Sequence, residues 1–572
     1  MKWTVMIGLL IPFTLSGQGI INNGYITFSS SPHVVIKDGG LNNNGTWTKA
    51  TETVVFTGTS ASELKGVATT YHNLQVSNTA GITLNTALLT ICNNLQIDNS
   101  SIFNISPTGK LTVSNVLTNN GGVAGLNILS DPSGNGSLIH STAGVNATVQ
   151  EILLDPQVTY YHAFSSPITN ATALVMKFTG SGPYLYDYVP TNSAGNKWYN
   201  IIPSSTPLIV GKGYLINFQT TSVDRTPVFA GPLNTGDIPS SVVFGGDNNN
   251  LVGNPYPCAI DWDVNDGAGW TRTNISPSIY IWNPAAAGGS GLYGTYLKGG
   301  GSVNGVTNII SSGQGYFVKT TAGSAVLQVD NRVKVHSNSI IKSGSIIYPY
   351  IKLKLTSTDG TSSDESIIRF HPEGTVLLDN QLEAFKFFSM SAVTSEIYSQ
   401  TADSVKLAIN SLPENWKDSI PIYFKCRLDG DFKLSLIEST VTDSVKLYDM
   451  VTNKTADLTK EGHSFIGTKG EKELRFIINR KDHSSGSLRN DVLTNGEKEI
   501  LFRVNDKILY ITSKSANPFE GILQVYDISG KVIMSEKVDF TSQFQTGFYY
   551  TGVFIAKLAT NDKIYTGKII SY

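Results

Sequence analysis

Cysteine is almost missing from this chain: there are three in 572 residues, Cys92, Cys258 and Cys426, odd in number and far apart. A disulfide framework needs pairs, so none is expected even in an exported protein. There is no Cys-x-x-Cys and no Cys/His cluster, so zinc-type ligand spacing is absent and the three thiols read as small buried apolar groups. Net charge is missing too. Lys and Arg total 42 against 44 Asp and Glu, which gives no electrostatic reason to bind nucleic acid or an anionic membrane. Long apolar runs are absent. Val5 to Leu15 falls short of the ~20 residues a membrane helix needs, and no later stretch reaches that length.

Catalytic signatures are equally scarce. None of the eight histidines opens a His-Glu-x-x-His helix, and there is no Gly-x-Ser-x-Gly elbow or Gly-Lys-Ser/Thr loop. Residues 66–97 hold no acidic side chain. A solenoid lyase or glycosidase would lack its paired carboxylates there. No cofactor is expected. Sustained helical periodicity is also lacking, while short alternating runs recur throughout, so the fold class is all-β.

Charge density divides the chain. Residues 18–340 carry about 28 charged side chains and residues 341–572 about 57, placing a boundary near Ile340. Within the charge-poor part, His72-Asn-Leu-Gln-Val-Ser-Asn78 recurs 21 residues later as Asn93-Asn-Leu-Gln-Ile-Asp-Asn99. A period near 20, with Asn and Gly at strand ends, predicts coils of a short β-solenoid over 18–125, with an ordinary sandwich as the alternative.

Residues 126–340 read as two related halves. Tyr161-His-Ala-Phe-Ser-Ser-Pro167, Tyr184-Leu-Tyr-Asp-Tyr188 and Gly211-Lys-Gly-Tyr-Leu-Ile-Asn217 are answered by Leu251-Val-Gly-Asn-Pro-Tyr-Pro257, Ile279-Tyr-Ile-Trp-Asn283 and Gly313-Gln-Gly-Tyr-Phe-Val-Lys319. The Gly-x-Gly-Tyr corner is followed by a strand rather than a helix, so it is not a dinucleotide loop. Asp261-Trp-Asp-Val-Asn265 sets oxygens at alternate positions, and Asp261, Asp263 and Asn265 form a weak calcium candidate; Arg272 stands where an EF-hand has glutamate. Trp262, Trp270, Tyr280, Trp282, Tyr293 and Tyr296 crowd the same stretch. They are core residues or, if exposed on one face, a platform for sugars. Residues 341–482 show seven or more alternating strands, the pattern of a β-sandwich, and 483–496 is a polar linker.

The two ends carry addresses. Met1-Lys-Trp3, the apolar run and Ser16-Gly17 read as a secretory signal peptide over 1–17. Residues 497–572 contain Val525-Tyr-Asp-Ile-Ser-Gly-Lys-Val-Ile533, Gly552-Val-Phe-Ile-Ala-Lys-Leu558 and Thr566-Gly-Lys-Ile-Ile570. This set resembles the C-terminal sorting domain of type IX secretion cargo, type A-like but without the usual Pro-Asn-Pro start.

The resemblance implies an immunoglobulin-like sandwich, the type IX machinery as partner and an outer-surface or extracellular destination. It also points to Asp527, Gly530, Lys531, Gly552, Phe554, Lys557 and Lys568 as sorting determinants. Gly-Asn-Pro-Tyr-Pro257 with Gly-Gln-Gly-Tyr-Phe-Val-Lys319 resembles a stretch of large surface proteins that carry such domains. Asp403-Ser-Val405, Asp418-Ser-Ile420 and Asp443-Ser-Val445 match a pattern glycosylated in exported proteins of such bacteria. The expectation is an exported adhesin-like or structural surface protein, not an enzyme. The alternatives are a carbohydrate-binding protein of a polysaccharide-utilising system and a solenoid polysaccharide-degrading enzyme.

Overall fold

The structure is a computed structural model. It describes residues 4–7, 13–16, 19–153, 161–176, 184–192, 196–200, 205–217, 226–337, 348–416, 418–441, 444–479, 500–505, 507–513, 519–527, 531–541, 543–550, 552–560 and 563–571. The described fold is all-β. The chain forms two compact units, Met1–Lys481 and Asp482–Tyr572.

The first unit opens with a parallel β-solenoid. Successive coils place one strand in each of two long sheets, and the 21-residue repeat is in register: Asn73 lies beside Asn94, Leu74 beside Leu95, Gln75 beside Gln96 and Val76 beside Ile97. Alternation explains the coil. Leu74, Val76, Leu95 and Ile97 point inward and are buried, each contributing about 1.5–3 kcal/mol of burial. The intervening amides form a ladder outside: Asn94 Nδ2 donates to Asn73 Oδ1 at 2.8 Å, and Asn115 Nδ2 to Asn94 Oδ1 at 3.0 Å. Asn78 makes a corner, its Oδ1 accepting from Ala80 N and Gly81 N at 2.9 Å each.

The stack continues past residue 125 to Asn146–Gln150. Thr4–Ile7 and Phe13–Ser16, within the segment read as a leader, pair with Tyr25–Phe28 and His33–Lys37 at its start. The far end is covered by Val228–Pro232, which runs antiparallel to Asn146–Gln150.

That capping strand belongs to the duplicated region, and the duplication is visible in the topology. One half orders its strands Tyr161–Phe164, Tyr214–Asn217, Tyr184–Tyr188, Trp198–Asn200. The other orders them Asn249–Gly253, Gly315–Lys319, Ser278–Asn283, Leu292–Leu297 and adds Gly301–Val303. The first and third motifs of each half therefore pair, with the second outside them.

The halves also exchange contacts reciprocally. Phe164 bridges Gln314, and Lys212 bridges Val252. Ser165 N donates to Gly313 O at 2.7 Å, and Gly253 N to Gly211 O at 3.1 Å. Glycine is required at this crossing because backbone meets backbone. A Cβ on Gly213 would lie 2.5 Å from Val252 O, and one on Gly253 would lie 2.1 Å from the Ser165 Cβ.

Residues 350–479 form one hydrogen-bonded sheet of eleven strands. The expected sandwich packing is present, but it arises from this single sheet curling over. Strand His463–Gly467 at one edge meets Lys446–Asp449 and Leu474–Asn479 near the other. His463 Nε2 lies 3.0 Å from Asp449 Oδ2, and the Arg475 guanidinium sits 4.3 Å from the Phe465 ring centre. The core between them holds Leu353, Phe370, Phe424, Leu434 and Phe476.

This sheet is fused to the duplicated region. Tyr280 and Phe387 stack with centroids 4.0 Å apart, and Arg369 Nη1 donates to Gly299 O at 3.0 Å. Asn304 Nδ2 donates to Asp364 Oδ1 at 2.9 Å. Asp364 also holds Lys386 at 2.6 Å, and Lys386 lies 3.6 Å from Glu396, all three buried.

The second unit is a two-sheet sandwich. Ile500–Asn505, Ile508–Ser513 and Gln543–Gly547 form one sheet; Val532–Phe540, Phe519–Tyr526, Gly552–Thr560 and Ile564–Ser571 form the other. Leu509, Ile511, Leu523, Val525, Ala556 and Leu558 fill its core.

Two of these contacts can be tested by substitution, with Gly323→Ala as a control. Gly253→Ala should destabilise the first unit by about 2–3 kcal/mol, because neither backbone can retreat. Gly323→Ala, which meets nothing within 4 Å, should stay within about 0.5 kcal/mol of the parent. Lys386→Ala should cost about 3–5 kcal/mol by leaving the buried Asp364 without its paired charge. Denaturant unfolding of the full chain measures both.

Candidate functional site

A concavity of the first unit lies where three elements meet, the last solenoid coil and the two interlocked halves. It has a volume of about 380 Å³. Asn135 and Glu151 come from the solenoid end, His162 and Ala163 from the first half, and Trp282 and Ser312 from the second. Glu151 is the one strongly shifted carboxyl there. Ser312 Oγ donates to its Oε1 at 2.6 Å and Asn135 Nδ2 to its Oε2 at 2.9 Å. Burial pushes its carboxyl up to about 7, and the Ser312 hydrogen bond only partly opposes this. Gly313 makes the fit possible, since a Cβ there would lie 2.9 Å from the Glu151 carboxyl carbon. The Trp282 indole nitrogen is buried and has no hydrogen-bond partner among the described residues.

Sequence reasoning missed Glu151. Its partners stand up to 161 positions away, so no local motif marks it. Its one signal is that it is an acid in a stretch almost bare of charge.

The loop with Asp261, Asp263 and Asn265 does not converge on a cation. Asp261 Oδ1 accepts from Asp263 N at 2.8 Å and Asn308 Nδ2 at 2.7 Å. Tyr296 OH donates to both Asp263 oxygens at 2.9 and 2.7 Å, and Lys298 Nζ to Asn265 Oδ1 at 3.1 Å. The loop is a polar turn fastened to its own sheet. Among the described residues no group of three His, Cys, Asp or Glu is placed to hold a metal.

The six aromatics are core, not platform. Trp262, Trp270, Tyr280, Trp282, Tyr293 and Tyr296 are all buried, packed edge to edge or beneath the third region. Partly exposed rings stand instead on the first half, where Tyr184 is 41% accessible and lies 6.1 Å from Tyr186. The three cysteines are buried and unpaired. Burial pushes the Cys92 and Cys258 thiols up to about 12, which leaves them unreactive.

The sorting candidates lie in the second unit. Asp527 closes a hairpin turn: its N donates to Lys531 O and its Oδ1 accepts from Lys531 N, both at 3.0 Å. Gly530 lies outside the described residues. Gly552 has φ +134°, open to glycine but not to a side chain. Phe554 is buried against Phe548, with centroids 5.1 Å apart. Lys557 is half-buried on the same strand, and Lys568 pairs opposite Ile555. Of the serines in the glycosylation pattern, Ser404 and Ser419 are exposed; Asp443 lies outside the described residues.

The described fold is that of an all-β protein in which a parallel solenoid is capped by a pseudo-symmetric pair of β modules. The chain belongs to the family described as Domain of unknown function (DUF8693), which matches residues 42–479. That span runs from the early solenoid to the last strand of the curled sheet and leaves the second unit outside. No curated protein matches the chain. Among solved structures, a "Biofilm associated protein - BSP domain" is similar at 8% identity over 76% of this chain and 97% of that one, with a TM-score of 0.12. A likeness that slight carries no argument. Among the described residues no helix is long and apolar enough to cross a membrane.

The Glu151 carboxyl gives a signed pH prediction. Its folded pKa, about 7, stands above the ordinary 4.5. The folded state holds the proton more tightly, so this stabilisation is complete below about pH 4.5 and is lost as pH rises through about 7. Glu151→Gln keeps one acceptor and one donor without the charge. It should match the parent near pH 4.5 and gain on it by pH 8, by on the order of 3 kcal/mol. Paired melting curves across that range measure the gain; a pH-independent difference would refute it.

Proposed function

We propose that the protein is an exported, adhesin-type surface protein, with residues 19–479 as the part displayed and the C-terminal unit as its address. The observation carrying this reading is the second unit. It is compact by itself, has its own core and lies outside the family match. It also holds Asp527, Lys531, Gly552 and Phe554 at a closed turn and a buried strand. The resemblance to type IX sorting domains then names the partner machinery and the outer-surface destination. The apolar start supplies passage of the first membrane. In this reading the displayed part acts by presenting solenoid coils and module loops to something outside the cell.

One observation favours a more specific second reading, in which the displayed part binds carbohydrate. The junction cavity combines amides, hydroxyls, an indole and apolar wall in one concavity, the mixture that orients small polar ligands.

In the host bacterium the full chain should reach the cell surface, while a chain ending at Lys481 should be retained behind the outer membrane. Surface proteolysis of intact cells reads the difference. Equal surface exposure of the two chains would sink the address.

A further inference from the structure

Among the described residues the junction cavity is lined by no lysine and no arginine. A site for phosphate, sulfate, a uronic acid or a nucleotide needs such a partner, because a desolvated anion without one is strongly disfavoured. The two acids present are not free to hold a cation. Asp131 Oδ1 accepts from Ser133 N at 2.7 Å and Ser133 Oγ at 2.5 Å, closing its own turn. Both Glu151 oxygens are already engaged by Ser312 and Asn135.

The Asn135 amide is already held between Ser130 and Glu151. What remains is neutral hydrogen-bonding capacity of both kinds, the Asn283 amide nitrogen, the Gln314 amide oxygen and the hydroxyl of Ser311. It faces an apolar wall of Leu153, Ile281 and Pro284 beside the Trp282 ring. Vicinal hydroxyls on an apolar ring match such a surface, whereas a lipid would leave its polar groups unpaired. The Trp282 indole N–H is a second, independent sign. It is a buried donor on the cavity wall with no partner among the described residues, and Trp282 is only 6% accessible. Buried donors of that kind are rare unless something fills the position. The volume, about 380 Å³, lies within the ~300–1,000 Å³ range of small-ligand pockets.

We infer that this cavity binds one uncharged sugar residue of a glycan, held by the amides of Asn283 and Gln314 and the hydroxyl of Ser311 against the Trp282 wall. The inference rests on the carbohydrate-binding reading above and names its site and ligand class. Of the six aromatics it uses Trp282 alone, at the cavity wall; the other five do not line the cavity.

The test uses the full chain with glucose, galactose, mannose and N-acetylglucosamine. Glucuronate serves as the anionic control and spermidine as the cationic one. Calorimetry and saturation-transfer NMR read binding, and an array of neutral glycans distinguishes a polymer-borne sugar from a free one. At least one neutral sugar should bind with a Kd of about 1 mM. Ala285→Trp, at an exposed position on the rim, should weaken it at least about tenfold by closing the mouth, with melting unchanged. Trp282→Phe keeps the ring and removes the N–H; it should weaken binding about three- to tenfold.

The inference falls if no neutral sugar binds, if glucuronate or spermidine binds more tightly than every neutral sugar, or if Ala285→Trp binds like the parent. Surface delivery of a full chain that binds no sugar would sink this inference and leave the address standing.

Discussion

The backbone of Gly253 lies so close to Ser165 that a single methyl group would not fit between them, and the architecture of residues 161–335 is organised around that contact. It sits where two half-modules of the same topology cross, and each lends its Gly-x-Gly-Tyr corner to the first strand of the other. Neither half is closed by itself. The first leaves its corner at Gly213 facing Val252; the second leaves Gly315 facing Phe164. Because the exchange is reciprocal, the halves behave as one module. That module then completes its neighbours. On one side it sends Val228–Pro232 to finish the solenoid, whose last parallel strand would otherwise offer an open edge to any passing chain. On the other side Tyr280 and Gly299 receive the curled sheet. The junction cavity follows from the same geometry, since it is the space left where a coil, a strand and a corner from three different stretches of chain meet.

Periodic and paired features were legible in the sequence, and long-range ones were not. The 21-residue repeat announced the coils, because a solenoid brings equivalent residues into register and the register follows the period. The matching motifs at 161 and 251 announced the duplication. Their mode of association was hidden, since nothing local distinguishes a glycine that makes a turn from one that lets a second backbone pass. The aromatics show the same limit. Trp262 to Tyr296 read as core, with an exposed platform as the alternative, and what seals Tyr280 is the third region, more than 80 residues downstream, laying Phe387 over it. The Asp261 loop had the spacing of a cation site. Its oxygens are claimed by Tyr296, Asn308 and Lys298, none of which the spacing could reveal.

Charge is placed where elements have to stay joined. The solenoid is nearly free of ions and holds itself by register and burial. The curled sheet carries most of the buried ones, and they lie at seams. Asp449, His463 and Arg475 fasten the two edges of the sheet. Burial alone would raise the Asp449 carboxyl, but the hydrogen bonds from His463 and Arg475 hold it below the usual range. Asp364, Lys386 and Glu396 lie beside the contact with Asn304 of the duplicated module. Such pairs add little net stability over an apolar seam, yet breaking one is costly, so they favour one alignment over near alternatives.

In the proposed reading, address and binding surface place different demands on the chain. The C-terminal unit is a small sandwich whose candidate determinants are a turn and a strand, features a machinery can recognise whatever it carries. The remainder is built to hold one junction in one geometry. Glu151 shows the cost of that. A carboxyl at the cavity floor, raised toward neutrality by burial, is a liability that a purely structural joint would remove by substitution to glutamine. Its oxygens are held by Ser312 and Asn135, and in the proposed binding reading the space beside them takes an uncharged ligand. A structural spacer gains nothing from a buried acid and an unpartnered indole in the same wall, whereas a binding protein gains from both.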